Sequence, residues 1–172
     1  MKLFAVYLGG YVDRCNIELH DVVFVAGPTL EATYPQLRKK WFGNSNRFHI
    51  DAFIDLQHVD GHEVFLATKP TASAKLYFIN MGAYDPVVFS EIHQSAFYVA
   101  ASPAESIARA KAELCQGLQQ IHKDDVVTVD TLQFDTDDVI EVNVEGYFIS
   151  LKPAPGVAPS QPVPAYIKLP VF

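Results

Sequence analysis

Two acid–imidazole patterns carry the clearest chemistry in this chain: Glu18-Leu19-His20 and Glu91-Ile92-His93. On an extended strand, positions i and i+2 face the same way, so each pattern sets a carboxylate beside an imidazole. Such a pair suits a divalent cation or an acid–base couple. Asp51, with Asp130 taken as its counterpart, supplies a third duplicated polar group, and His49 can join in the first copy alone. A Glu-His-Asp set has the composition of a two- or three-ligand metal site. Glu18, His20 and Asp51 are therefore the candidate catalytic residues. No metal is assigned outright; Glu18, His20, Glu91 and His93 are the candidate ligands if a divalent metal is the cofactor. A plainer reading competes: each Glu accepts a hydrogen bond from the neighbouring His, and the pair fixes a hairpin bend.

The loop Gly9-Gly10-Tyr11-Val12-Asp13-Arg14-Cys15-Asn16 precedes the first pattern. Glycines at a strand end permit a tight turn or the close approach of a ligand. The loop lacks the glycine spacing and the Gly-Lys-Ser/Thr of a phosphate-binding loop. Arg14 and Asn16, with His93, are the candidate ligand-binding residues; Arg14 can equally pair with Glu18. Cys15 is a candidate nucleophile with His20 as its base, although a lone cysteine is a weak pattern.

These patterns recur because the chain is internally duplicated. Lys2-Leu3 returns as Lys75-Leu76, Gly9 as Gly82, Tyr11 as Tyr84, Glu18 as Glu91, His20 as His93 and Phe24 as Phe97, always 73 residues on. Fused like units commonly pack about an approximate two-fold axis. Each copy opens with a β-rich run (Leu3 to Leu8; Leu76 to Met81), followed by a second strand (Val22 to Ala26; Ala96 to Ala100). A helix comes next. Its apolar stripe is Leu30, Tyr34, Leu37 and Trp41 in copy one, and Pro103, Ile107, Ala110 and Leu114 in copy two. Ser102-Pro103-Ala104-Glu105 is a capping box, and Pro35 predicts a kink or a broken first turn in the earlier helix. Two further strands close each unit. The third alternates through Ile50, Ala52, Ile54 and Leu56 in copy one; its counterpart is expected at Val127 to Phe134, which implies an insertion before Asp124.

The fold class is thus α+β: two tandem β-β-α-β-β repeats packed with pseudo-two-fold symmetry. Repeat one is 1–68 and repeat two is 75–152, joined by Thr68 to Ala74. Residues 153–172 form a Pro-rich C-terminal tail whose apolar end is expected to dock on the body.

Bulk properties exclude several functions. The net charge of −7 argues against nucleic acid, which needs a basic surface. Residues 1–70 carry seven Lys/Arg and eight Asp/Glu, so the acidity is concentrated later in the chain. No stretch has the length of a membrane span. Cys15 and Cys115 occupy unmatched places in the two copies, which predicts reduced thiols and a cytoplasmic location.

The run from Lys2-Leu3-Phe4 through Tyr7-Leu8-Gly9-Gly10, Asn16-Ile17-Glu18-Leu19-His20-Asp21-Val22, Thr33-Tyr34-Pro35, Trp41-Phe42-Gly43 and His49-Ile50-Asp51 resembles the domain of unknown function 1543. That resemblance covers 1–68 well and 75–152 more loosely. It implies a small bacterial protein and the order of elements, and it brings no reaction with it. Copy two departs from the pattern with Phe89, Ser90 and Gln94 in place of Asn16, Ile17 and Asp21. If copy one is active, copy two is then a decayed partner. The leading functional expectation is a small-molecule or metal-binding protein, with enzymatic activity open, whose site gathers the repeated Glu-x-His motifs. The rival is a noncatalytic structural or interaction module. Expected partners are a small-molecule ligand and a second copy in a homodimer, with no nucleic acid and no membrane.

Overall fold

The computed structural model describes residues 1–69, 74–129, 139–141 and 147–170. In chain order the elements are β1 (Lys2–Gly10), β2 (Leu19–Gly27), a 3-10 turn (Glu31–Thr33), α1 (Tyr34–Lys40), β3 (Phe48–Asp55), β4 (His58–Val59) and β5 (His62–Ala67). Then follow β6 (Lys75–Tyr84), β7 (Ile92–Ala100), α2 (Pro103–Glu113), β8 (Gln119–Val129), β9 (Val139–Glu141), β10 (Phe148–Pro153) and β11 (Val163–Lys168). Strand content far exceeds that of the two short helices, and the class is α+β.

The chain divides into two compact units. The first is Met1–Gln57 with Ala158–Phe172; the second is His58–Val157. This division differs from the repeat boundaries expected at 68 and 75. The closing strand of repeat one, β5, pairs antiparallel with β10, with Ala67 opposite Phe148 and His62 opposite Pro153, and so belongs to the second unit. A β-strand follows its hydrogen-bonding partner, and the partner of β5 comes from the later part of the chain.

In the first unit the sheet order is β11-β3-β1-β2. Even-numbered residues of β1 (Phe4, Val6 and Leu8) join Val23, Val25, Leu30, Leu37, Trp41, Phe48 and Ile50 in the core beneath α1. The period-2 alternation of β1 sends the odd residues, Gly9 among them, to the opposite face. Pro35 sits in the first turn of α1, where its missing amide is harmless, and the preceding turn is 3-10. The tail also contributes here. β11 pairs antiparallel with β3, Lys168 lies opposite His49, and Leu169 is buried in the core.

The second unit repeats this local plan as β7-β6-β8-β9, with α2 following the second strand. Tyr77, Ile79, Met81 and Ala83 of β6 pack with Tyr98, Ala110, Cys115 and Val126. Ser102 caps α2 by accepting from the Glu105 amide at 3.3 Å, as the capping box predicts. β8 corrects the expected third strand. It begins at Gln119, well before Val127, and Gly82 stands opposite His122 just as Gly9 stands opposite His49. The 73-residue spacing therefore runs unbroken into this strand, and no insertion precedes Asp124. Residues 130–138, Asp130 among them, and the connector residues 70–73 lie outside the described residues.

One polar anchor ties the β4–β5 turn to α2. Asp60, in the left-handed region at φ +50°, accepts from Arg109 through both carboxylate oxygens at 2.7 and 2.8 Å, and from the Val99 amide at 2.9 Å. The Arg109 guanidinium lies 4.9 Å from the Tyr98 ring centroid, and burial, followed by the charge of Glu113, pushes the Tyr98 phenol up to about 12. The hydrogen bonds from Arg109 hold the Asp60 carboxyl below its ordinary range. Because Arg109 and the Val99 amide lose a charged acceptor, Asp60→Ala should cost about 2 kcal/mol in urea unfolding at neutral pH. A depressed folded-state pKa stabilises above the ordinary carboxylate range. The wild-type advantage over Asp60→Ala should therefore shrink as pH falls through and below about 4.

Candidate functional site

The folded register assembles four polar side chains in each unit. In the first unit Glu18 immediately precedes β2, His20 is the second residue of β2, and His49 and Asp51 lie on β3. The central strand β1 runs between them and presents Gly9 opposite both His20 and His49. His49 Nε2 lies 3.2 Å from Glu18 Oε1 and 2.9 Å from Asp51 Oδ1, and His20 Nε2 lies 3.3 Å from Asp51 Oδ2. A β-bulge sits at Asp51, because Tyr7 pairs with Ala52 while Leu8 pairs with Ile50. Bulges of this kind re-aim a side chain.

The second unit holds the same set 73 residues on. Glu91 precedes β7, His93 is on it, and His122 and Asp124 are on β8 around Gly82. His122 Nε2 lies 2.9 Å from Glu91 Oε1 and 3.0 Å from Asp124 Oδ1. His93 Nε2 is 3.1 Å from Asp124 Oδ2 and 3.6 Å from Glu91 Oε2. The bulge recurs too: Asn80 pairs with Asp125 and Met81 with Lys123, which leaves Asp124 between. One donor atom from each of Glu91, His122 and Asp124 falls within 4.8 Å of the others, the only set of that spacing found among the described residues.

The central glycine makes room for the cluster in both units. A Cβ on Gly82 would stand 2.5 Å from Asp124 Oδ2, 2.7 Å from Glu91 Oε1 and 2.9 Å from His122 Nε2. A Cβ on Gly9 would overlap Asp51 Oδ2 and touch Glu18 Oε1 and His20 at 3.0 Å. The missing side chain is the space into which the acids and imidazoles turn.

Each cluster holds more than a single Glu–His pair, since His49 and His122 each meet two acids. Glu18 Oε1, Asp51 Oδ2, Glu91 Oε1 and Asp124 Oδ2 are buried and make no hydrogen bond among the described residues. Each nonetheless lies within 3.3 Å of an imidazole Nε2: Glu18 Oε1 of His49, Asp51 Oδ2 of His20, Glu91 Oε1 of His122 and Asp124 Oδ2 of His93. A buried carboxylate oxygen needs a protonated imidazole or a cation to offset its desolvation. The same two oxygens stand in that position in each copy. His122 Nδ1 faces the Gln120 carbonyl at 2.8 Å, an approach made by the left-handed Gln120 at φ +49°. That contact, together with Asp124 and Glu91, raises the His122 pKa. In the neutral tautomer it also turns the Nε2 lone pair toward the carboxylates, the arrangement of a metal-ligating histidine oriented through its other nitrogen.

Aromatic rings flank both sets, at different positions. Tyr7 stacks on His20 with centroids 5.2 Å apart, and burial followed by the Asp51 charge raises its pKa. Tyr84 stacks on His122 at 5.9 Å, and its bond to Glu91 raises its pKa. Tyr166 of β11 lies over His49 at 4.5 Å.

Of the candidates read from the sequence, Glu18, His20 and Asp51 come together, as do Glu91 and His93. His49 joins them, with His122 as its full counterpart, which corrects the expectation that His49 serves one copy alone. Asp124, not Asp130, matches Asp51. The second copy keeps all four groups and is not decayed in its ligand set. Arg14 and Asn16 are exposed in the loop before β2, with Arg14 at φ +73°. Among the described residues no ion pair joins Arg14 to Glu18. Cys15 is exposed in that loop, whereas Cys115 is buried and its thiol pKa raised by burial. The unbroken spacing of 73 was the signal that would have found His122 and Asp124; the flanking tyrosines left none, since Tyr7 has no counterpart and Tyr11, the counterpart of Tyr84, meets Arg47 instead.

The model of the family described as Domain of Unknown Function (DUF1543) matches residues 15–66 and 89–139, a span that includes all eight of these side chains. No curated protein matches the chain. A crystal structure of a protein, Il1583, from Idiomarina loihiensis is similar at 32% identity, covering 98% of this chain and 97% of that one with a TM-score of 0.74.

Proposed function

We propose, from the premise that this chain belongs to the DUF1543 family with two copies of the domain in tandem, that it is a divalent-metal-binding protein. It would hold one ion per unit on Glu18, His20, His49 and Asp51, and on Glu91, His93, His122 and Asp124. We read the copies as related by a pseudo-two-fold, so that each presents an equivalent ligand set. The observation that carries this reading is the repeated pair of buried carboxylate oxygens without a hydrogen bond beside imidazole nitrogens. Two ligands at about 2.1 Å from one ion and at right angles to each other are roughly 3.0 Å apart. The imidazole–carboxylate separations of 2.9 to 3.3 Å have that spacing.

The donor set narrows the ion. Two imidazoles disfavour magnesium and calcium, and the lack of thiolate disfavours copper(I), so zinc, manganese or iron(II) fits best. Four side chains leave room on a six-coordinate ion for a small oxygen-donor ligand, which keeps the small-molecule reading and an acid–base reaction at that ligand within the same proposal. Equilibrium dialysis of metal-free protein against zinc or manganese tests it. Wild type should retain two equivalents per chain, and His49→Ala and His122→Ala one each. Retention of none by folded wild-type protein would favour the structural alternative.

A further inference from the structure

We infer that the two sites differ in access at one imidazole: the C-terminal strand covers the His49 side of the first, while the second is the more open site at which ions and ligands exchange. The inference rests on the metal reading above and concerns which of the two sites works on incoming molecules.

The ligand sets match, so the difference lies in what borders them. In the first unit β3 is an interior strand, with β1 on one side and β11 on the other. The pairing of β11 reaches the site itself, with Ile167 opposite Ile50 and Lys168 opposite His49. Its register shifts between Pro164 and Ile167, across from the Asp51 bulge, and Tyr166 falls in that shift. The phenol ring stands 4.5 Å from the His49 ring, and the His49 side chain is only 11% exposed. In the second unit the strand beside β8 is β9, parallel to it and paired only at Val126, Val127 and Thr128. Among the described residues no strand borders β8 at His122 on the side away from β6, and the His122 side chain is 42% exposed.

The neighbouring loops diverge in the same sense. The positions occupied by the polar Arg14, Cys15 and Asn16 in copy one are Val87, Val88 and Phe89 in copy two. All three apolar residues are exposed, together with Tyr84 on the adjoining strand end. Contiguous exposed apolar residues beside polar groups mark a binding surface more often than isolated ones do. The ligand class that fits the open site is a small organic acid: a carboxylate or related oxygen donor to the ion, with an apolar body against Val87–Phe89 and Tyr84. A membrane is the poorer occupant, because residues 71–172 hold six basic and twelve acidic side chains and would be repelled by anionic lipid.

An aromatic contact of this kind is worth enough to slow exchange by up to about tenfold. The test is stopped-flow release of zinc from the fully loaded chain to a chromophoric chelator. Two equal phases are expected, with rates about tenfold apart. His122→Ala should remove the fast phase and leave the slow one, Tyr166→Ala should bring the slow phase up to the fast rate, and Tyr166→Phe, which keeps the ring, should preserve it. Thermal melts of the Tyr166 variants check that each is folded. A chain that loads two zinc ions and releases both in one phase overturns the capping inference alone. A folded chain that loads no zinc overturns the metal reading and this inference with it.

Discussion

Saturating zinc or manganese should raise the thermal midpoint of the wild-type chain by roughly 5–10 °C per occupied site, and that of the His49→Ala/His122→Ala double variant not at all. An ion at a hundred times its dissociation constant stabilises a folded site by about 2.7 kcal/mol. For a chain of this size each kcal/mol moves the midpoint by about 2–4 °C. The metal-free variants separate the two readings. If the four side chains are metal ligands, the ion-free protein carries two crowded carboxylates per set, and removing one charge by Glu91→Gln should leave its stability unchanged or raise it slightly. If Glu91 and His93 instead form a structural pair, Glu91→Gln should cost on the order of 1–3 kcal/mol with or without metal. Urea unfolding in the presence of a chelator reads the difference.

Gly82→Ala should abolish the second site more thoroughly than loss of any single ligand does. The added methyl would occupy space now held by Asp124 Oδ2, Glu91 Oε1 and His122 Nε2, so three donors would have to move at once. These atoms are side-chain tips, so they would swing aside without disturbing the strands, and the three donors would no longer converge. The expected result is a chain that retains one equivalent of metal, in the first unit. Gly9→Ala should do the converse, because its Cβ would meet Asp51, Glu18 and His20. Gly82→Ala sits in a strand without a positive φ, where alanine is tolerated by the backbone. The fold should therefore survive and circular dichroism should be unchanged. Full two-site binding by Gly82→Ala would show that the convergence around the glycine does not hold an ion.

Parts of this arrangement were legible in the residues and parts were not. The repeated Glu-x-His was visible because both patterns lie in the stretch where the copies match most densely. His122 and Asp124 carry the same spacing, but the strand around them does not match in hydrophobic pattern. Copy one has Phe48 and Ile50 on its core face, while the aligned residues in copy two are Ile121 and Lys123. Alignment by apolar alternation therefore slid the third strand of copy two toward Val127. The fate of β5 was hidden for a different reason: strand partners at long sequence separation are set by pairing and leave no local trace. The helices were located by their apolar stripes, and the broken first turn expected at Pro35 is the 3-10 turn Glu31–Thr33 ahead of α1. The role of Gly9 and Gly82 was half visible. A glycine at a strand end announces a close approach, and only the folded register shows that what approaches is a cluster of acids and imidazoles.

The most direct test of the metal reading is crystallography of the wild-type chain grown with zinc, with anomalous data collected on both sides of the zinc absorption edge. The account predicts one edge-dependent peak among Glu18, His20, His49 and Asp51 and another among Glu91, His93, His122 and Asp124, each about 2.0–2.2 Å from its donor atoms. Four side chains bridged only by water in both units, with any zinc bound elsewhere, would contradict it.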